Sequence, residues 1–190
     1  MELFWYNIRE MDDAAYLEAL SLLSAERRKQ LSDLAMEQDR KRAVAGELLA
    51  RRALGEKLGI EAKDVTLQYD EEGKPCVADA PVYVSISQSG LYVVCALSER
   101  PIGMHVEVVR GAEEKFMRRV CTDKEWDYVR PYDDGGYERF WEIWTAKEAI
   151  FKLTGQGPLL GLSCFTLPEN VALEHLRLNG CTITAAFRLN

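Results

Sequence analysis

The chain has 190 residues, enough for a full hydrophobic core in one domain or two small lobes. Nearly half its residues are apolar, 29% are charged and the net charge is −7. That balance fits a globular protein and excludes a broad cationic surface for nucleic acid. The stretch from Glu26 to Lys57 runs the other way, with nine Lys/Arg against six Asp/Glu. It suits a small polyanion such as a nucleotide phosphate, or else is a solvated helix of mixed charge.

Residues 1–6 lack the basic and long apolar regions of a signal peptide, and no apolar run reaches the ~20 residues of a membrane span. Five cysteines without a CxxC pair suggest neither a disulfide framework nor a zinc site. A cytoplasmic protein without a membrane partner is expected.

Leu3–Ile8 reads as an opening strand. Asp12–Ala35 reads as one or two helices, followed by a long helix over Gln38–Leu58 with Val44, Leu48, Leu54 and Leu58 inward and Gly59 as C-cap. The period then changes. Strands are expected over Val65–Tyr69, Val82–Ser87, Leu91–Ser98 and Ile102–Val109, with a turn at Asp70–Gly73 and another at Gln88-Ser89-Gly90. A helix near Glu113–Val120 precedes the capping-box pattern Thr122–Glu125. Asp133–Gly136 is a break, and Tyr137–Leu153 a strong helix ended by Gly155 and Gly157-Pro158. Leu162–Leu167, Leu173–Leu178 and Cys181–Leu189 read as antiparallel strands. Helices then strands, twice over, predict an α+β protein of two similar lobes, 1–100 and 101–190.

Two segments carry candidate chemistry. Alternation along Ile102–Val108 puts His105 and Glu107 on one face, where both can point at one ion or simply at water. In the helix Trp141–Lys152, Ile143, Ala146, Ile150 and Leu153 form a core stripe, while Trp144, Glu148 and Lys152 line another face at spacings of four. The turns at Gly73-Lys74-Pro75 and Ser87-Gln88-Ser89-Gly90 offer a lysine, hydroxyls and backbone N–H groups, as a phosphate needs and as ordinary turns also have.

Gly73-Lys74-Pro75, Ser85–Gly90, Pro101–Glu107 and Trp144–Lys152, read in order, resemble the surfactin-synthetase-activating type of 4′-phosphopantetheinyl transferase. The helix from Asp39 to Leu54 is similar to that family's coenzyme-binding helix. The resemblance implies a pseudo-dimeric fold of two α+β lobes with the active site at their interface, and a monomer. It implies transfer of the phosphopantetheine arm of coenzyme A to a serine of an acyl or peptidyl carrier protein. By position, His105, Glu107 and Glu148 would hold Mg²⁺, Glu148 and Lys152 would be catalytic, and Arg42, Lys74, Ser87, Gln88 and Lys152 would bind coenzyme A, joined by Arg27 or Arg28.

Two positions depart from the family pattern. His105 stands where the family has Asp, and Gln88 where it has His. Imidazole in place of a carboxylate removes a charge and a hard oxygen donor, which weakens Mg²⁺ and favours Mn²⁺, Fe²⁺ or Zn²⁺. Gln88 still donates a hydrogen bond but carries no charge. The alternative consistent with both departures is a homologue that binds coenzyme A or a carrier protein without transfer.

Overall fold

The computed structural model describes residues 1–71, 73–78, 80–130, 136–155, 161–165 and 167–189. Of the expected break Asp133–Gly136 only Gly136 is described, as the first residue of a helix; the Gly157-Pro158 stop, Glu72 of the predicted turn and Thr166 of the predicted strand Leu162–Leu167 lie outside them. The chain divides into two compact units, Met1–Glu99 and Arg100–Asn190.

The first unit opens with β1 (Glu2–Asn7), α1 (Asp13–Ser21) and α2 (Ala25–Ser32), then the 22-residue α3 (Glu37–Leu58). The Asp12 and Ser24 side chains accept backbone N–H bonds at the starts of α1 and α2, satisfying donors that a helix start leaves unpaired. Gly59 ends α3 in the left-handed region at φ 70, a conformation glycine adopts without steric cost. Val44, Leu48 and Leu54 are buried as their spacing predicts, and Leu58 is half-buried.

A short hairpin, β2 (Leu67–Tyr69) and β3 (Pro75–Val77), precedes β4 (Tyr83–Ser89) and β5 (Tyr92–Ser98). The main sheet is antiparallel in the order β1-β5-β4. Gln88 and Ser89, expected in a turn, continue the strand: they pair with Val93 and Tyr92. The tight connection is therefore Gly90-Leu91.

The second unit has β6 (Ile102–Val108), α4 (Glu114–Val120), α5 (Asp123–Val129), the 19-residue α6 (Gly136–Thr154), β7 (Val171–Leu178) and β8 (Cys181–Arg188). Its sheet is antiparallel in the order β6-β8-β7. The capping box is present at α5, Thr122 and Glu125 each binding the other's backbone N–H. Among the described residues of the strand expected over Leu162–Leu167, none is in a strand. Residues Leu162–Cys164 form a 3₁₀ turn, with the Leu162 carbonyl accepting from the Lys147 ammonium at 2.8 Å and the Gly161 carbonyl accepting from Cys164. With one of those carbonyls taken by the Lys147 side chain and the other by the turn itself, neither enters a strand ladder.

The core stripe of α6 also differs from the spacing-based reading. Trp141, Thr145, Ala149, Ile150 and Leu153 are buried, while Ile143 and Ala146 are only half-buried. A threonine can sit at the buried position because its hydroxyl bonds to the Trp141 carbonyl at 2.8 Å and to the Thr184 hydroxyl on β8 at 2.7 Å. Each unit thus sets one long helix against a three-stranded antiparallel sheet, an α+β arrangement made twice.

Candidate active site

In the second unit, Gly103 of β6 lies directly under α6. A methyl group there would overlap the Ala149 carbonyl oxygen and the Leu153 amide nitrogen, with the Leu153 Cα 3.0 Å away. Lacking one, the strand approaches the helix backbone closely. Strand alternation puts His105 and Glu107 on the same face as Gly103, turned toward α6, while Ile102, Met104 and Val106 are buried on the other face. Glu148 and Lys152 each precede one of the two α6 residues that touch Gly103. The signal for this contact is already in the sequence, since a glycine inside a strand marks close backbone approach.

The His105 Nε2 lies 3.7 Å from Glu107 Oε2, too far for a hydrogen bond, and both side chains are 16% exposed. Neither ring nitrogen of His105 has a hydrogen-bond partner. Burial pushes the imidazole below its ordinary range, with Lys152 adding to the shift and Glu107 and Glu148 opposing it. The charges acting on His105 are thus those of Glu107, Glu148 and Lys152. Burial lowers the Lys152 ammonium to about 8, against the Glu148 carboxylate. Arg110 reaches within 3.8 Å of Glu107 from the exposed side.

Among the described residues no group of three or more His, Cys, Asp or Glu side chains is placed to hold a metal ion. The donors still fit a divalent cation of mixed coordination. His105 offers an unpartnered imidazole nitrogen and Glu107 a carboxylate, and such cations are commonly held by one or two protein groups plus substrate phosphate and water.

In the first unit, Arg42 donates to the Gly90 carbonyl at 2.8 Å and pairs with Asp39. Gln88 is exposed and Ser87 buried, on opposite faces of β4. Lys74 follows Gly73 in the β2–β3 turn, where its backbone N–H donates to Asp70 Oδ1 at 2.7 Å. Arg27 is engaged inside the fold: it bonds to Glu47 at 3.2 Å and covers the Tyr69 ring at 4.2 Å. Glu47, 2% exposed, also accepts from Arg51 at 3.1 Å and from the Tyr69 hydroxyl at 2.8 Å. Several cations of the basic Glu26–Lys57 stretch are therefore matched by carboxylates, Lys57 by Glu2 among them.

A cavity of about 420 Å³ lies in the second unit, lined among others by Ile143, Lys147, Ile150, Phe165 and His175. None of the predicted site residues lines it.

Between the strand and the helix lie an ammonium, an imidazole and two carboxylates close enough to act on one another electrostatically. Residues 101–186 match the model of the 4′-phosphopantetheinyl transferase superfamily, and residues 10–100 that of the N-terminal part of a 4′-phosphopantetheinyl transferase. The 4′-phosphopantetheinyl transferase Sfp of Bacillus subtilis (strain 168) is 28% identical over 150 residues, 78% of this chain and 67% of the relative. A phosphopantetheinyl transferase of Thraustochytrium sp. is 32% identical over 189 residues, 88% of this chain and 66% of its own length. The L-aminoadipate-semialdehyde dehydrogenase-phosphopantetheinyl transferase of Rattus norvegicus is 29% identical over 160 residues, 76% of this chain and 52% of the relative. The chain belongs to the 4′-phosphopantetheinyl transferase superfamily. It spans about half to two thirds of the length of these curated relatives.

Proposed function

We propose that this protein transfers the 4′-phosphopantetheine arm of coenzyme A to a serine hydroxyl of an acyl or peptidyl carrier protein, releasing 3′,5′-ADP. The observation that carries the reading is the gathering of His105, Glu107, Glu148 and Lys152 at the Gly103 contact, in a chain matched over both units by models of this superfamily. The serine oxygen attacks the phosphorus that bears the pantetheine, and the bond from that phosphorus to the bridging oxygen of the leaving 3′,5′-ADP breaks. Glu148 accepts the serine proton. Lys152, with its pKa lowered to about 8, holds a proton near neutral pH that it can give to the departing phosphate oxygen. Arg42, Lys74, Ser87 and Gln88 hold the phosphates of coenzyme A, for which Arg42 exchanges Asp39 for the ligand.

A divalent cation bound through His105 and Glu107, with Glu148 beside them, supplies neutralisation of the charge that builds on the phosphates. The imidazole favours Mn²⁺ over the Mg²⁺ that an all-oxygen set would take. The same reading places the chain in the cytoplasm, acting as a monomer on a carrier protein.

The test is incubation with coenzyme A, an apo carrier protein and either cation, read by mass spectrometry. Transfer adds ~340 Da to the carrier, the mass of the arm that the cofactor carries. Turnover is expected to be higher with Mn²⁺, and His105→Asp is expected to shift the preference to Mg²⁺. Coenzyme A binding without any mass gain under either cation would replace this reading with that of a non-transferring binder.

A further inference from the structure

Lys147 is 3% exposed, and its ammonium has three acceptors: the Val120 carbonyl at 2.8 Å, Glu125 Oε2 at 2.7 Å and the Leu162 carbonyl at 2.8 Å. Three is the full donor capacity of an ammonium. Each acceptor comes from a different element. Val120 ends α4, Glu125 sits in the first turn of α5, and Leu162 belongs to the turn that follows α6 in the chain. Glu125 Oε2 also accepts from the Thr122 backbone N–H at 2.7 Å, so one carboxylate oxygen closes the α5 cap and anchors α6 together.

The position of Lys147 on α6 gives the tripod its consequence. At about 3.6 residues per turn, it leaves the helix roughly 200° from Ala149, on the side away from the Gly103 contact. Glu148 is its next neighbour, and Lys152 shares the Glu148 flank. On one side α6 is fixed by backbone contact with Gly103; on the other, the Lys147 ammonium fixes both its rotation and its axial position. A buried cation costs several kcal/mol in desolvation, so an apolar residue would fill this position more simply if packing alone were needed.

We propose that Lys147 is a positioning residue for transfer, holding α6 in the rotation that presents Glu148 and Lys152 to β6. The proposal rests on the functional reading above and adds a group that touches neither substrate nor cation. Losing the ammonium lets α6 turn slightly about the Gly103 contact. A misplacement of about 1 Å at reacting groups costs on the order of 100-fold.

The variants are Lys147→Met, which keeps length and apolar volume, and Glu125→Gln, which keeps an acceptor for Thr122 while removing the charge that faces Lys147. Each is assayed well below its melting temperature, per folded molecule, with coenzyme A, apo carrier and cation. In Lys147→Met, kcat is expected to fall about 10–100-fold while KM for coenzyme A stays within about twofold; Glu125→Gln is expected to fall less, in the same pattern. Lys147→Arg, which keeps the charge, is expected to recover part of the loss. Amide hydrogen exchange supplies a readout independent of turnover: residues 145–154 are expected to exchange at least ~10-fold faster in Lys147→Met than in the parent.

Unchanged exchange over that helix overturns the proposal, whatever the activity. So does faster exchange with kcat per folded molecule unaltered, which makes the tripod a stabilising device only. Should Lys147→Met not fold, the kcat and exchange of Glu125→Gln decide by the same criteria. If the parent enzyme transfers nothing, the functional reading falls by itself, and faster exchange still supports the anchoring of α6 by Lys147.

Discussion

At the scale of single residues, burial sets which groups can react. Lys152 is lowered from its ordinary value of 10.5 to about 8 because burial disfavours the ammonium. Below the lower value both folded and unfolded chains are charged there, and the native state bears the whole cost. Between the two values the unfolded chain binds more protons, so stability rises with pH, and above both the cost is gone. In chelator-treated protein, the melting temperature of the parent is therefore expected to gain on that of Lys152→Met across this window. A difference that does not change with pH would show that the Lys152 ammonium is hydrated in the native state. The cysteines follow the same logic. Burial raises Cys95 to about 12 and Cys121 and Cys181 to about 11, whereas Cys76 and Cys164 are exposed. Since the thiolate is the reactive form, brief alkylation of native protein, mapped by peptide mass, is expected to modify Cys76 and Cys164 and spare the other three.

At the scale of elements, the contact between β6 and α6 carries the geometry of the site. Gly103→Ala places a methyl group against helix backbone, which cannot yield as a side chain could. Overpacking of this kind costs about 1–3 kcal/mol, so thermal melts are expected to shift down by several degrees, and Glu148 and Lys152 to lose their placement with it. The long helices were legible because period, cap and composition agree: α3 with its Gly59 stop, α5 with its Thr122–Glu125 box. The faces of α6 were legible only in part. Counting apolar residues selects Ile143 and Ala146, but the deepest positions include Thr145 and Lys147, whose polar atoms are satisfied by partners 15 to 39 residues away. Periodicity contains no information about such partners. The same limit applies at Leu162, whose apolar alternation suggests a strand while its carbonyl is taken by Lys147.

At the scale of the whole molecule, charge is distributed against its average. The chain is acidic, yet the proposed ligand is a polyanion and the groups assigned to it in the first unit are Arg42, Lys74, Ser87 and Gln88. The attraction is consequently local and short-ranged, and screening acts on it. Coenzyme A affinity, followed by calorimetry, is expected to weaken about three- to tenfold between low and moderately high salt. An affinity indifferent to salt would mean that neither cation meets a phosphate.

The buried carboxylate of Glu47 also constrains how this protein can vary. With Arg27, Arg51 and Tyr69 all converging on it, replacing Glu47 alone would strip the buried Arg51 guanidinium, and the partly exposed Arg27, of their shared carboxylate. Replacing either arginine alone would strip part of the compensation from an enclosed anion. Breaking such a group costs about 3–5 kcal/mol, although wholesale exchange for well-packed hydrocarbon is often neutral. Any lineage leaving this arrangement must therefore cross a valley of poorly folded intermediates or change several codons together, and drift at these positions is expected to be correlated rather than independent.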